Sequence, residues 1–222
     1  MNGSDGVTHE QYPVMLDLSD RRCLVVGGGP VALRKTEDLL RCSALVHVVS
    51  PAWSRAWDAA PSGEDEPRLK RSTRPYQPSD LDGVFLAIAA TDDPALQEAI
   101  ARAARLRRVM LNVVDAPSLC DFLVPASMRR GSLVVSVSTQ GKSPALAAAI
   151  RDRLSALLDP SLAEGLERLA EGRRIARSLY PADRELRQEA LRRLVAPGAV
   201  DDLMEGRLEA FEEHWESWKA SL

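Results

Sequence analysis

Six consecutive residues, Gly27-Gly28-Gly29-Pro30-Val31-Ala32, carry the spacing G-x-G-x-x-A. Each position has a chemical reason. Gly27 permits a tight turn, Gly29 lets the backbone approach a pyrophosphate, and the small Ala32 allows a helix to pack closely on a strand. A helix opening at Pro30 presents free N–H groups and a partial positive charge to the anion. The same loop without a ligand is only a glycine turn, so context decides. Here an apolar, β-branched run precedes the loop and a helical stretch follows it, as a dinucleotide site requires. Acidic residues often end the second strand of such a site and meet the ribose hydroxyls, but Ser50-Pro51-Ala52 stand there. Arg55 is close, though not at the turn, so ribose contacts alone do not choose between NAD and NADP.

Asp115 is the second candidate. It follows Val109 to Val114, a strand-like run, and so falls at the edge where open α/β sheets place ligands. A carboxylate there can accept a proton; equally, an Asp before Ala116-Pro117 can simply start a turn. Asp92 and Asp93 are adjacent, which does not make them face one site, and Asp93 before Pro94 reads as a helix N-cap. Thr91, at the end of a strand, is placed to border a cofactor. Gly141-Lys142-Ser143 matches the end of a P-loop, but Ser136 occupies the position of the required glycine, which excludes the NTPase reading. Ser143-Pro144 remains a helix start, either an anion site or a plain capped turn.

The elements that must hold these residues alternate. Strands are expected at Arg22 to Gly27, Leu45 to Val49, Val84 to Ala90 and Val109 to Val114, with helices from Pro30 to Arg41 and after Asp93. This is the pattern of a parallel sheet covered by helices, an α/β fold of Rossmann type. Between them lies a weakly patterned stretch with a polar loop at Pro61 to Arg68. Past residue 116, Phe122 to Pro125 and Leu133 to Val137 read as strands joined without a helix. A helix then runs from Ser143 to about Leu158, and the rest is helical with breaks at Pro181 and Pro197-Gly198. The expected division is 1–115, a Rossmann domain; 116–142, a small β segment; and 143–222, a helical region. Trp215 and Trp218 read as packing residues, and the mixed charges after residue 165 as exposed helix faces.

Composition narrows the function. A net charge of −3 lacks the basic footprint of a nucleic-acid binder. The longest apolar run, Val84 to Ala90, falls far short of the roughly 20 residues that span a bilayer. Met1 to Gln11 is polar and acidic, unlike a secretion signal, and the expected location is cytoplasmic. Three scattered cysteines (Cys23, Cys42, Cys120) and three histidines (His9, His47, His214) offer no structural zinc cluster; free thiols in a reducing compartment are expected.

Taken together, Tyr12-Pro13-Val14, Gly27 to Lys35, Ala89 to Asp93, Asn112 to Asp115 and Val137 to Pro144 resemble the precorrin-2 dehydrogenase and sirohydrochlorin ferrochelatase family, which includes the N-terminal module of bacterial sirohaem synthase. The resemblance covers roughly residues 12 to 158. It implies a homodimer, paired through the β segment, that oxidises precorrin-2 to sirohydrochlorin with NAD⁺; many members also insert Fe²⁺. It implies that Asp115 is catalytic, taking a proton as hydride leaves or pyrrole protons as iron enters. It places NAD contacts at Pro30, Val31, Pro51 and Ala52, and the family commonly lacks the acid missing here. The substrate carries eight carboxylates, so Arg34, Lys35, Arg129, Arg130 and Lys142, with Ser143, are candidate contacts. A different class stays open: a non-catalytic regulatory module that binds NAD and has no use for Asp115.

Overall fold

A computed structural model describes residues 10–60 and 66–222; Met1 to His9, and Pro61 to Asp65 of the expected polar loop, lie outside the described residues. β1 (Arg22–Val26) is exposed only at Arg22 and buried thereafter, the near-continuous apolar run of a strand covered on both faces. It lies at the centre of a five-stranded parallel sheet ordered β3-β2-β1-β4-β5. The other strands are β2 (Leu45–Ser50), β3 (Leu69–Thr73), β4 (Leu86–Ala89) and β5 (Met110–Val113). In register, Val26 stands beside Val49 on one side and Ala89 on the other, and Ala89 stands beside Val113.

α1 (Pro30–Arg41) packs on β1 and β2, with Ala32, Thr36 and Leu39 buried; α2 (Pro94–Arg107) packs on β4 and β5. The two faces form two cores, one around Leu24, Leu81, Ile100 and Leu111, the other around Val25, Val46, Val48 and Trp57. Because β1 connects outward to β2 and β3 while β4 returns to its other side, the strand order reverses between β1 and β4. In open α/β sheets that reversal opens the ligand crevice at the carboxyl ends.

The residues fall into two compact units, Met1–Val124 and Pro125–Leu222. In the second, β6 (Ala126–Arg130) and β7 (Leu133–Val137) form an antiparallel hairpin, turned through Gly131 at φ +53°. α3 (Pro144–Ala156) packs on both strands. α4 (Leu162–Leu179), α5 (Arg184–Leu194), α6 (Pro197–Met204) and α7 (Leu208–Ala220) follow, broken at Pro181 and Pro197 as expected. Phe211, Trp215 and Trp218 are buried; Trp218 Nε1 donates to Ala190 O at 2.8 Å. The two tryptophans are packing residues, as their sequence position suggested.

Two expectations are corrected. Leu69–Thr73 is a strand although its sequence, LKRST, has one apolar residue; it is an edge strand held by parallel pairing with β2. Phe122 to Pro125 is not a strand. The hairpin partner of β7 is Ala126–Arg130 instead, and Phe122 serves β5 through its carbonyl, which accepts from Asn112 Nδ2 at 2.9 Å. Among the described residues no helix is long and apolar enough to cross a membrane.

Candidate functional site

The glycine loop is built from its backbone outward. Gly27 has φ +135°, and a Cβ there would stand 2.1 Å from Ala90 O. Its N–H donates to Val49 O at 3.0 Å, and Ala90 N donates to Val26 O at 2.8 Å, so the loop is locked between the ends of β2 and β4. Gly28 is equally confined: a Cβ would meet Ala52 O at 2.0 Å and Ser50 Oγ at 2.6 Å. Gly29 is different. It caps α1 with φ −83° and ψ 177°, and a Cβ there would meet nothing within 4 Å. Two of the three glycines are thus explained by the protein's own packing, and the third leaves open space in front of a helix N-terminus.

That N-terminus suits an anion. Pro30 occupies the first helical position, the first turn contains no acid, and Gly29 offers no side-chain cap. Ala32 is fully buried against the sheet, as the third position of the motif requires. The residues present therefore fit a dinucleotide pyrophosphate. The turn after β2 supports the loop from behind: Ser54 N donates to Gly28 O at 2.9 Å, and the buried Trp57 donates through Nε1 to Gly29 O at 3.3 Å. Ser50 Oγ donates to Ala52 O at 2.6 Å, which shapes the Ser50-Pro51-Ala52 turn and leaves Pro51 and Ala52 exposed beside the loop. Ser54 and Trp57 had no local signal in the sequence, since their contacts lie 26 and 28 residues away.

At the end of β4, Thr91 is half-buried. Its Oγ1 accepts from Asp93 N at 3.3 Å and its carbonyl accepts from Gln97 Nε2 at 2.7 Å. Asp93 is the N-cap of α2, accepting from Ala95 N at 2.9 Å and Leu96 N at 3.2 Å, so its carboxylate is engaged in structure. Asp115, just beyond β5, is exposed and left-handed at φ +60°. Non-glycine residues adopt that conformation uncommonly, Asp and Asn more readily than most. Two strand spacings separate β1 from β5, about 10 Å along one sheet edge. The structure thus brings Gly27, Gly29, Pro30, Val31, Pro51, Ala52 and Thr91 to neighbouring strand ends, with Asp115 on the same edge.

Residues 14–126, which hold all of these groups, match a family described as "Putative NAD(P)-binding". The chain belongs to this NAD(P)-binding family. A second family, "Sirohaem biosynthesis protein central", matches residues 130–157 of this NAD(P)-binding protein. It is 39% identical over 202 residues to a siroheme synthase of Thioalkalivibrio sulfidiphilus, covering 91% of this chain and 40% of that protein. It is 41% identical over 153 residues to a siroheme synthase of Photobacterium profundum, covering 69% and 32%. The chain thus spans well under half the length of these curated relatives. Among solved structures it is similar to "SirC, precorrin-2 dehydrogenase", with TM-score 0.69 and 27% identity over 93% of this chain and 100% of that one.

The candidate cations are divided between the units. In the first, Arg34 is exposed on α1, while Lys35 is half-buried and its ammonium is held below its usual range by desolvation. In the second, Arg130 is engaged: it donates to Ser155 Oγ at 3.0 Å and to Arg129 O at 3.3 Å. Lys142 is exposed and follows Gln140 and Gly141, both left-handed. Ser143 caps α3, its Oγ accepting from Leu146 N at 3.3 Å.

Proposed function

We propose that this chain oxidises precorrin-2 to sirohydrochlorin with NAD⁺. The observation that carries the reading is the open face of Gly29 on the same sheet edge as the exposed, left-handed Asp115. The likeness to siroheme synthases and to a precorrin-2 dehydrogenase structure supports it. Bound at the loop, the nicotinamide cofactor supplies the hydride acceptor. The chain's own part is positional and acid–base. The Gly27–Gly29 backbone and the α1 N–H groups hold the pyrophosphate, and Pro51, Ala52 and Thr91 border the rest of the cofactor. As hydride leaves the macrocycle, the Asp115 carboxylate takes the proton released with it and passes it to water.

Candidate groups for the tetrapyrrole's carboxylates are Arg34 and Lys35 in the first unit and, taken separately, Arg129, Lys142 and Ser143 in the second. Arginine suits bidentate contact, and Ser143 keeps its O–H to donate while its oxygen caps α3. Iron insertion is a second step in this proposal. Sirohydrochlorin is already macrocyclic, so Fe²⁺ enters as a substrate while Asp115 accepts the pyrrole protons. We further propose a homodimer paired through the 116–142 segment. Leu146, Ile150 and Leu157, 53%, 38% and 64% exposed on and just beyond α3, leave an apolar face uncovered on the helix that packs against that segment's β6–β7 hairpin.

The test is anaerobic incubation of the chain with precorrin-2 and NAD⁺, followed by absorbance for NADH and sirohydrochlorin, then by Fe²⁺ addition. NADH formation is expected, with sirohaem appearing faster than in a protein-free control. NAD⁺ binding without turnover refutes the enzyme and favours the regulatory module; a monomer on light scattering refutes the dimer.

A further inference from the structure

β5 is an edge strand, yet its outward N–H groups are not left open. Leu111 N donates to Asp121 Oδ2 at 3.0 Å, and Val113 N donates to Cys120 Sγ at 3.1 Å. Asp121 N returns to Leu111 O at 2.8 Å, and the buried Asn112 donates through Nδ2 to Phe122 O at 2.9 Å. The chain after Asp115 is therefore folded back along the free side of β5, and side chains take the place of a sixth strand.

Cys120 lies where this return segment meets the turn. Besides accepting from Val113 N, its Sγ is 3.2 Å from Val113 O and 3.4 Å from Ala116 O, within reach as a donor to either. Those carbonyls flank Asp115. Ala116 N closes the turn on Val113 O at 3.3 Å, and Val114 N is fixed to Ala89 O at 2.9 Å. A left-handed residue with a Cβ persists only where its surroundings over-determine it, and here the thiol supplies the constraint on the outer side. Burial pushes the Cys120 thiol up, which keeps its proton in place.

We propose that Cys120 is the positioning residue of the Asp115 turn: by bridging Val113 and Ala116 it sets the direction in which the Asp115 carboxylate leaves the sheet edge. This rests on the role of Asp115 given above. Its role is indirect: it acts through the backbone on either side of the carboxylate. Serine keeps a donor and an acceptor at the same branch point, and alanine keeps neither.

The experiment compares Cys120→Ala and Cys120→Ser in the full chain by anaerobic turnover and by amide hydrogen exchange. Cys120→Ala is expected to lower kcat about tenfold, since a small misplacement of a reacting group costs at least that much, while the KM for NAD⁺ stays unchanged. Cys120→Ser is expected to recover most of the loss. Exchange should quicken over 111–122 in the alanine variant and nowhere else in the sheet. Wild-type kcat in Cys120→Ala overturns the proposal. So does a parallel fall of kcat, NAD⁺ affinity and melting temperature in both variants, which marks a merely structural thiol. A wild type that makes no NADH overturns the reading of Asp115 and with it the catalytic consequence of the clamp. The exchange arm, independent of turnover, tells that case apart.

Discussion

Replacing Gly29 by alanine separates ligand space from folding space. The backbone at Gly29, φ −83° and ψ 177°, is open to any residue, and a Cβ there meets no protein atom within 4 Å. The folded protein therefore tolerates the methyl group, and the loss of glycine's freedom in the unfolded chain adds about 0.4–1 kcal/mol of stability. The same methyl group projects into the space assigned to the pyrophosphate. If the anion retreats far enough to lose one charge-assisted hydrogen bond, the cost is about 2 kcal/mol, or about a thirtyfold rise in the Kd for NAD⁺. The neighbouring glycines give the contrast. Alanine at Gly28 or Gly27 would lie 2.0 Å from Ala52 O or 2.1 Å from Ala90 O, so those variants should lose the fold before they report on binding. Titration calorimetry with NAD⁺, paired with thermal melts of wild type and Gly29→Ala, is the assay. A variant that melts no lower but binds thirtyfold more weakly bears out the reasoning. Unchanged affinity would falsify the cradle, and a lowered melting temperature would show that the space at Gly29 belongs to the protein.

Three further outcomes follow from the same geometry. Asp115→Asn keeps a side chain that tolerates the left-handed backbone, so NAD⁺ affinity and melting temperature should hold while turnover falls at least about 100-fold, the scale of a lost general base. Equal turnover would remove Asp115 from the chemistry. Trp57→Phe keeps most of the buried volume but deletes the N–H that reaches Gly29 O at 3.3 Å; a loss of about 1 kcal/mol, or about fivefold in NAD⁺ Kd, is expected by calorimetry. In the same unit, Arg74 grips Asp80 through two hydrogen bonds, of 2.9 and 2.5 Å, and Gln77 N adds a third at 2.8 Å. The Arg74 bonds hold the carboxyl of Asp80 below its ordinary 3.8. The folded form is then the stronger acid, so its contribution to stability is complete above pH 3.8 and is lost as pH falls through the lower folded value. Denaturant melts of Asp80→Asn should be less stable than wild type at neutral pH and should lack that part of the acid slope; an unchanged slope would sink the assignment.

The sequence by itself determined the elements whose patterns are local. Leu24 to Val26, Val46 with Val48 and Val49, Leu86 to Ala89, and Leu111 with Val113 are buried, so each strand reads as a short, mainly apolar run wherever it lies in the sheet. The glycine loop was legible for the same reason: its turn, its helix start and its small third residue are adjacent in the chain. Asp93 as an N-cap and the breaks at Pro181 and Pro197 also depend only on near neighbours. Tertiary structure decided the rest. Leu69–Thr73 carries little apolar pattern because it is an exposed edge, and only pairing with β2 makes it a strand. Ala126–Arg130 buries Met128 alone, so its place in the hairpin comes from register with β7 rather than from its own residues. Ser54 and Trp57 reach back across more than 25 residues to the carbonyls of Gly28 and Gly29, and no periodicity encodes such a contact. Cys120 read as one more free thiol until the chain folded back along β5 and set its sulfur between Val113 and Ala116. Short-range order is written in residue type and spacing; which backbone group a distant side chain satisfies is settled only when the sheet edge needs a partner.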